Sequence, residues 1–383
     1  MARQFGMTKD NAPHRSAQPP TIVDSLIQPR QLPIIVPFAI SGDALTEATP
    51  VFVQLRDERG NTGLGECSPF PSLTGDTQHV AREVAQETIH LIRGLDPLRA
   101  LELLHGHRSE IVNRSITAFV GVETALLDLH ARQLGIPLTM LFGVATRSAV
   151  ESDITLPVMP TTEVDRFWTS VRDIGFRVVK VKVKGNLSHD LDTIHELERV
   201  ASPGIRISLD GNQGYELDNA VRLIDRLRDQ RIVPLCFEQP LAADDLDGLA
   251  KLSARIPIPV CLDESVKCTA DLINIRDKRV ATAINLKIMK SGVIETLNMA
   301  RVAKALGIRL MIGGMLETEV AMGVSLAIAC GTDAIEWIDL DTPFFLRELP
   351  TVESPWHGRN AELTPRWKAG HGMDLRTNEG NAP

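Results

Sequence analysis

Asp210, Glu238 and Asp263 each close a short apolar run, in Ile-Ser-Leu-Asp, Leu-Cys-Phe-Glu and Val-Cys-Leu-Asp, and recur at steps of 28 and 25 residues. A single acid after a buried strand is as readily a helix cap or a surface residue. Three at one repeat length set their carboxylates on the same rim of a parallel sheet. An all-oxygen set carrying charge minus three suits a hard cation, and Mg2+ is the expected one. The run Val178-Val179-Lys180-Val181-Lys182-Val183-Lys184 alternates with period two, which sends its three lysines to one face and its valines to the other. A solvent-facing edge strand also uses alternating lysine to discourage pairing, but a closed barrel has no edges. Ile284-Asn285-Leu286-Lys287-Ile288 supplies another inward amine on the far side. Opposed amines across a metal-bound carboxylate suit racemisation or epimerisation: one removes the proton alpha to the carboxylate and the other returns it on the opposite face. The resulting enolate requires electrostatic stabilisation, which a cation supplies as a Lewis acid, and the base must be neutral, a state favoured by nearby positive charge.

The elements that position these groups are legible as alternation. From about residue 150 the chain repeats strand and helix, with strands centred on Thr155, Val181, Ser208, Phe237, Leu262, Leu286, Met311 and Ile338. Between them, sets such as Ala220, Leu223, Ile224 and Leu227 have the i, i+3, i+4, i+7 spacing of helices that bury one face. Eight such units predict a TIM-type α/β barrel. A doubly wound sheet would carry a Gly-rich phosphate turn after its first strand, where this chain has Pro157-Val158-Met159-Pro160. Barrel chemistry sits at the carboxyl ends of the strands, where the three acids lie. Upstream, Leu32 to Phe38, Val51 to Leu55 and Gly63 to Glu66 predict an antiparallel meander, followed by helical patterns over residues 77–95, 96–107 and 115–134. The Gln-, Ser- and Pro-rich residues 1–20 read as a mobile tail.

A formal charge of −8 with no run of Lys and Arg argues against nucleic acid and points to a small-molecule substrate. The five cysteines are odd in number and scattered, so they read as reduced thiols. No apolar stretch approaches the roughly 20 residues of a membrane span, and a cytoplasmic enzyme with no membrane partner is expected.

Together, Gly175-Phe176, Lys180-Val181-Lys182, Asp210-Gly211-Asn212-Gln213-Gly214-Tyr215, Glu238-Gln239-Pro240, Asp263-Glu264-Ser265 and Asn285 to Gly292 resemble the enolase superfamily, muconate-lactonizing subgroup, and most resemble its dipeptide epimerases. The lysine-and-Mg2+ pattern is that superfamily's established one. The resemblance spans about Ile35 to Arg347 and implies a (β/α)7β modified TIM barrel over residues 148–342. It also implies an α+β capping domain over residues 21–147, to which residues 343–383 return. It implies Lys182 and Lys287 as acid/base residues, Lys180 as their assistant, and Asp210, Glu238 and Asp263 as ligands of one Mg2+ per subunit, with Mn2+ an expected substitute. In Ile335-Glu336-Trp337-Ile338-Asp339-Leu340-Asp341 it implies that Asp339 and Asp341 hold a dipeptide's ammonium group, which alternate carboxylates at a strand end can do. Without that pair the choice would stay among cycloisomerase, o-succinylbenzoate synthase and N-acyl amino acid racemase; a barrel without catalysis is a further alternative.

No histidine lies between His195 and His357, which disfavours a His-Asp base of the mandelate racemase type. The family likeness places specificity in the cap loop Ala39 to Thr46, where Asp43 replaces the basic residue of Ala-Glu enzymes and implies basic or neutral over acidic side chains. It also implies a homo-oligomer. Glu317, in Gly313-Gly314-Met315-Leu316-Glu317, is expected to line the substrate cavity. Lys184-Gly185 departs from the family pattern, which has glycine directly after the strand.

Overall fold

The computed structural model describes residues 18–40 and 43–376. Its larger part is one parallel sheet of eight strands in chain order: β1 Ile154–Leu156, β2 Val178–Lys182, β3 Arg206–Asp210, β4 Phe237–Glu238, β5 Val260–Leu262, β6 Ala283–Leu286, β7 Arg309–Ile312 and β8 Ile335–Ile338. Every strand centre read from the sequence falls inside one of these. Helices fill each interval, as Val164–Val171, Leu187–Val200, Leu217–Asp229, Leu246–Arg255, Thr269–Asp277, Val293–Leu306 and Glu319–Gly331, which makes the expected (β/α)7β barrel. Leu217–Asp229 buries Ala220, Leu223, Ile224 and Leu227 and leaves its arginines outward, as its spacing requires. Glu319–Gly331 is buried on every side. Such a helix needs cover on its outer face, and the helix Leu138–Phe142 and Met373 lie against it.

The ring closes differently at its ends. Neighbours β1 to β8 share parallel ladders, but β8 meets β1 through one backbone bond, Asp153 N–H to Ile338 O at 2.9 Å. Side chains supply the rest: Leu340 N–H donates to Ser152 Oγ (3.0 Å) and Thr155 N–H to Asp341 Oδ2 (2.6 Å).

The cap differs from the expected meander. Its sheet is Ile22–Pro29, Val51–Asp57 and Thr62–Cys67, all antiparallel, while Leu32–Ile40 pairs only with Asp43–Ala48 in a separate hairpin. Ile22–Pro29 went unread because its residues are mostly exposed and it lacks period-two alternation. The helices are Gln78–Ile92, Pro97–Gly106 and Ile116–Leu134, near the expected ranges, with Arg108–Arg114 in addition. Ile116–Leu134 lies so close to Thr62–Cys67 that a Cβ at Gly65 would stand 2.0 Å from Gly121 O, and one at Gly63 2.2 Å from Ala125 O. The glycines of Thr-Gly-Leu-Gly-Glu-Cys therefore permit the helix–sheet contact.

Two carboxylates bind cap to barrel at helix N-termini, where unpaired N–H groups and the helix dipole favour anions. Glu66 accepts from Thr318 N (2.8 Å), Ala321 N (3.0 Å) and Thr318 Oγ1 (2.6 Å) at the start of Glu319–Gly331. Glu123 accepts from Val293 N (2.5 Å) and Ile294 N (3.3 Å) at the start of Val293–Leu306. The chain end also reaches the cap: His371 N donates to Asp128 Oδ1 (2.7 Å), its Nε2 faces Leu64 O (2.8 Å), and Leu138 N donates to Gly370 O (2.7 Å). No helix of the described residues is long and apolar enough to cross a membrane.

Candidate active site

Strand register assembles the site. In the β2–β3 ladder Lys182 pairs with Asp210, and in β3–β4 Asp210 pairs with Glu238, so the carboxyl ends of successive strands deliver one lysine and two acids to one layer. Asp263 follows β5 directly. All are buried. Lys180 Nζ lies 2.7 Å from Asp339 Oδ2, 2.8 Å from Glu238 Oε2 and 3.3 Å from Asp210 Oδ2. Lys182 Nζ donates to Asp210 Oδ2 (2.9 Å) and Asn212 Oδ1 (2.6 Å). Across the barrel, Lys287 Nζ donates to Asp263 Oδ2 (2.6 Å), while Lys290 Nζ takes Asp263 Oδ1 (2.6 Å), Asp263 O (2.7 Å) and Asn285 O (2.9 Å). The two lysines expected to oppose each other thus address different acids of one trio.

Lys184 does not join them. The strand ends at Lys182, Asp190 accepts the Lys184 N–H (3.2 Å), and the Lys184 side chain is exposed. The third lysine of the alternating run therefore points to solvent, contrary to the period-two reading.

Electrostatics follow from burial and pairing. Burial raises Asp210, but Lys182 and Lys180 outweigh it and hold its carboxyl at about 2. Asp263 is likewise held well below the ordinary range: burial is overcome by Lys287 and Lys290. Glu238 goes the other way, to about 7, because burial and the charges of Asp210 and Asp263 outweigh Lys180. Burial alone would lower Lys180 and Lys287, yet both are raised by the acids around them, Asp339 first for Lys180 and Asp263 first for Lys287. Around Lys180 and Lys287 the carboxylates dominate, Asp263 carrying the ammonium of Lys287 and Asp210 and Glu238 sharing that of Lys180.

The acids fit such a cation. They offer only oxygen, sit on adjacent strand ends, and are paired with ammonium groups in place of a metal, Glu238 Oε2 with Lys180 Nζ at 2.8 Å. The Asn285 amide, two residues before Lys287 and on the same face, holds the other oxygen of Glu238 at 2.8 Å. In the sequence, the inward parity that Asn285 shares with Lys287 is the signal that marks it. Lys290 lies in the short helix Ile288–Ser291 after β6, where strand parity says nothing.

Asp339 and Asp341 follow β8 and are buried beside Lys180 and β1. Burial and Asp339 raise Asp341 to about 7. Asp153, Asp339 and Asp341 bring one carboxylate oxygen each within 4.8 Å of the others; nothing in the sequence marks Asp153. Phe70, Leu73 and Met315 face the lysines across a space of about 20 Å³, and Leu73 and Met315 also border a cleft of about 180 Å³. Glu317 is wholly buried beneath Gly314 and Met315, accepts from Met315 N (2.9 Å), and is pushed by burial to about 8. Asp43 starts a hairpin strand opposite Ile40; its side chain, with Ser41, Gly42 and residues 1–17, lies outside the described residues.

Comparison with known proteins adds the following. Residues 22–143 match the mandelate racemase/muconate lactonizing enzyme N-terminal domain, and residues 163–379 the enolase C-terminal domain-like family. An L-Ala-D/L-amino acid epimerase of Populus trichocarpa is 33% identical over 85% of this chain and 78% of its own length. An aromatic dipeptide epimerase of Herpetosiphon aurantiacus is 32% identical over 93% of this chain and 99% of its own. Among solved structures, a dipeptide epimerase from Enterococcus faecalis, complexed with Mg and the dipeptide L-Leu-L-Tyr, superposes with a TM-score of 0.87 at 26% identity, covering 92% of this chain and 99% of that one.

Proposed function

The chain belongs to the enolase-like mandelate racemase/muconate lactonizing enzyme family, and from that premise we propose that it is a Mg2+-dependent dipeptide epimerase that inverts the alpha carbon of the C-terminal residue of an L,L-dipeptide. The observation that carries the reading is the placement of Lys182 and Lys287 on different sides of one buried acid set, Lys182 on Asp210 and Lys287 on Asp263. Asp210, Glu238 and Asp263 would hold the Mg2+, which supplies Lewis-acid stabilisation of the substrate's carboxylate oxygens; Mn2+ is proposed to substitute. Asp339 and Asp341 receive the dipeptide's ammonium and fix which carbon lies between the lysines. One lysine takes the alpha proton and the other delivers a proton to the opposite face, giving a 1,1-proton transfer. Lys180, in contact with Asp210, Glu238 and Asp339, links the acid set to the ammonium anchor and is a positioning residue.

The apolar wall of Phe70, Leu73 and Met315 supports neutral side chains, and Asp43 at the hairpin tip supports exclusion of acidic ones. A ranking of acidic against basic dipeptides unmoved by Asp43→Arg would remove the Asp43 part. A reducing, cytoplasmic setting is supported by five free cysteines, four of them buried. A homo-oligomer is proposed and is read directly by light scattering.

The test is incubation with Mg2+ in D2O against a library of L,L-dipeptides. Alpha-deuteration of a subset, lost in Lys182→Ala, is the expected outcome. Exchange in N-acyl amino acids but in no dipeptide would replace the reading with a racemase of the same subgroup.

A further inference from the structure

Asp153 stands just before β1, in the layer below Thr155, and its backbone N–H donates to Ile338 O, which sets it beside Asp339. It is 5% exposed, and its carboxyl oxygen falls within 4.8 Å of those of Asp339 and Asp341. Lys180 is the cation of this trio, at 2.7 Å from Asp339, and it is shared with Asp210 and Glu238. Three buried carboxyls around one shared ammonium cannot all ionise, because like charges at this separation repel strongly where water is excluded. A proton must therefore reside in the trio.

Two features assign it to Asp153. Asp341 already accepts the Thr155 N–H and Asp339 the Lys180 ammonium, whereas Asp153 Oδ1 has no hydrogen-bond partner. Asp153 also lines a cavity of about 300 Å³ at the opposite, N-terminal mouth of the barrel, bounded by Arg147, Arg206, Ser208, Met311 and Trp337. That cavity gives its carboxyl a route to solvent that avoids the reaction site. The charges facing it are Lys180 and Glu238 from the barrel interior, and Arg147, Glu151, Arg206 and Glu336 from the mouth, of which Glu336 is neutralised by Arg309 and Glu151 meets Arg177.

We propose that Asp153 is a positioning residue for the substrate's amino end: it stays protonated through neutral pH and lends that proton to the Asp339–Asp341 pair, leaving the pair as acceptors for the ammonium. Burial, and then the charges of Asp339 and Asp341, push its carboxyl well above the ordinary range against the pull of Lys180, which supports the assignment. The proposal rests on the reading of Asp339 and Asp341 as the ammonium anchor.

The experiment compares wild type, Asp153→Asn and Asp153→Ala, Mg2+-loaded, by the pH dependence of dipeptide KM and kcat. Asn keeps a neutral donor, so its KM profile stays within about threefold of wild type; Ala removes the donor, raises KM about tenfold at neutral pH and moves the KM inflection to higher pH, with kcat little changed. An inflection that moves to lower pH in either variant would mean that Asp153 had been a negative charge, and overturns the proposal. So does an Ala profile identical to wild type. Infrared difference spectra of wild type against Asp153→Asn at pH 8 give a reading that needs no substrate: a protonated-carboxyl band that disappears in the variant supports the assignment, and its absence sinks it. Asp339→Asn serves as the control. If it leaves dipeptide KM unchanged, the ammonium reading fails separately, whatever the infrared band says of Asp153.

Discussion

The separate duties proposed for Lys182 and Lys287 are matched by separate partners, Asp210 for the first and Asp263 for the second. Asn285 fixes Glu238 and Lys290 fixes Asp263 from behind. If Glu238 is a Mg2+ ligand as proposed, replacing Asn285 by Ala leaves it less oriented, and Mg2+ affinity should fall about 10- to 100-fold by calorimetry, the usual cost of losing a group that orients a metal ligand. Glu317 has no cation in contact and is held near 8, well above its ordinary value. Because its folded-state value is raised, its favourable contribution is complete below about pH 4.5 and is lost as pH rises through about 8. Glu317→Gln should therefore raise thermal stability, by about 1–3 kcal/mol at pH 8 and by less at pH 5; a gain that shrinks with rising pH contradicts this. At this scale the sequence was most informative where residues obey strand parity. Asp210, Glu238, Lys180 and Lys182 were legible from alternation and repeat. Lys184 misled because nothing in a period-two run marks where the strand stops, which Asp190 decides from the next helix. Asp153 was illegible for a related reason: its importance comes from β8, far away in the chain.

Elements meet in this protein through carboxylates at helix starts and glycines under a helix. Glu123 caps Val293–Leu306 from the cap and also contacts His105 at 2.8 Å. Its replacement by Ala leaves buried N–H groups unpaired and should cost about 1.5–3 kcal/mol in denaturant melts, with Glu123→Gln recovering part. A loss below a few tenths would mean that the cap is held elsewhere. The barrel seam offers a sharper contrast. Asp341→Ala strips Thr155 N–H of its acceptor and should lose both stability and substrate affinity, whereas Asp341→Asn restores most of the stability without the charge. The eight strands and seven covering helices were readable because their burial is one-sided and periodic. Ile22–Pro29 and the split between hairpin and sheet were not, since edge strands with exposed side chains carry little pattern.

For the molecule as a whole, cap, barrel and chain end form one packed body, and His371 ties the chain end to the cap. Its Nδ1 accepts from Met373 N (3.1 Å) and its Nε2 faces Leu64 O, which defines a neutral ring. Burial is the main reason that its value is lowered. A depressed folded-state value means that the contribution is intact above about 6.5 and declines as pH falls below it. Protection factors at Gly370 and His371, taken against the intrinsic exchange rate at each pH, should fall between pH 7 and 5.5 ahead of the barrel core; a uniform fall across the molecule would assign the acid response elsewhere.

The joint between β1 and β8 has one further consequence. The same Asp341 that completes the ring is assigned to the amino end of the substrate, so a lineage cannot retune that end without loosening the barrel. The wall formed by Phe70 and Leu73, proposed to receive the far end of the substrate, closes no ring. If Asp341 holds the amine as proposed, descendants of this fold are steered: new side chains are reached by editing the cap, while the demand for a free amine is inherited with the architecture.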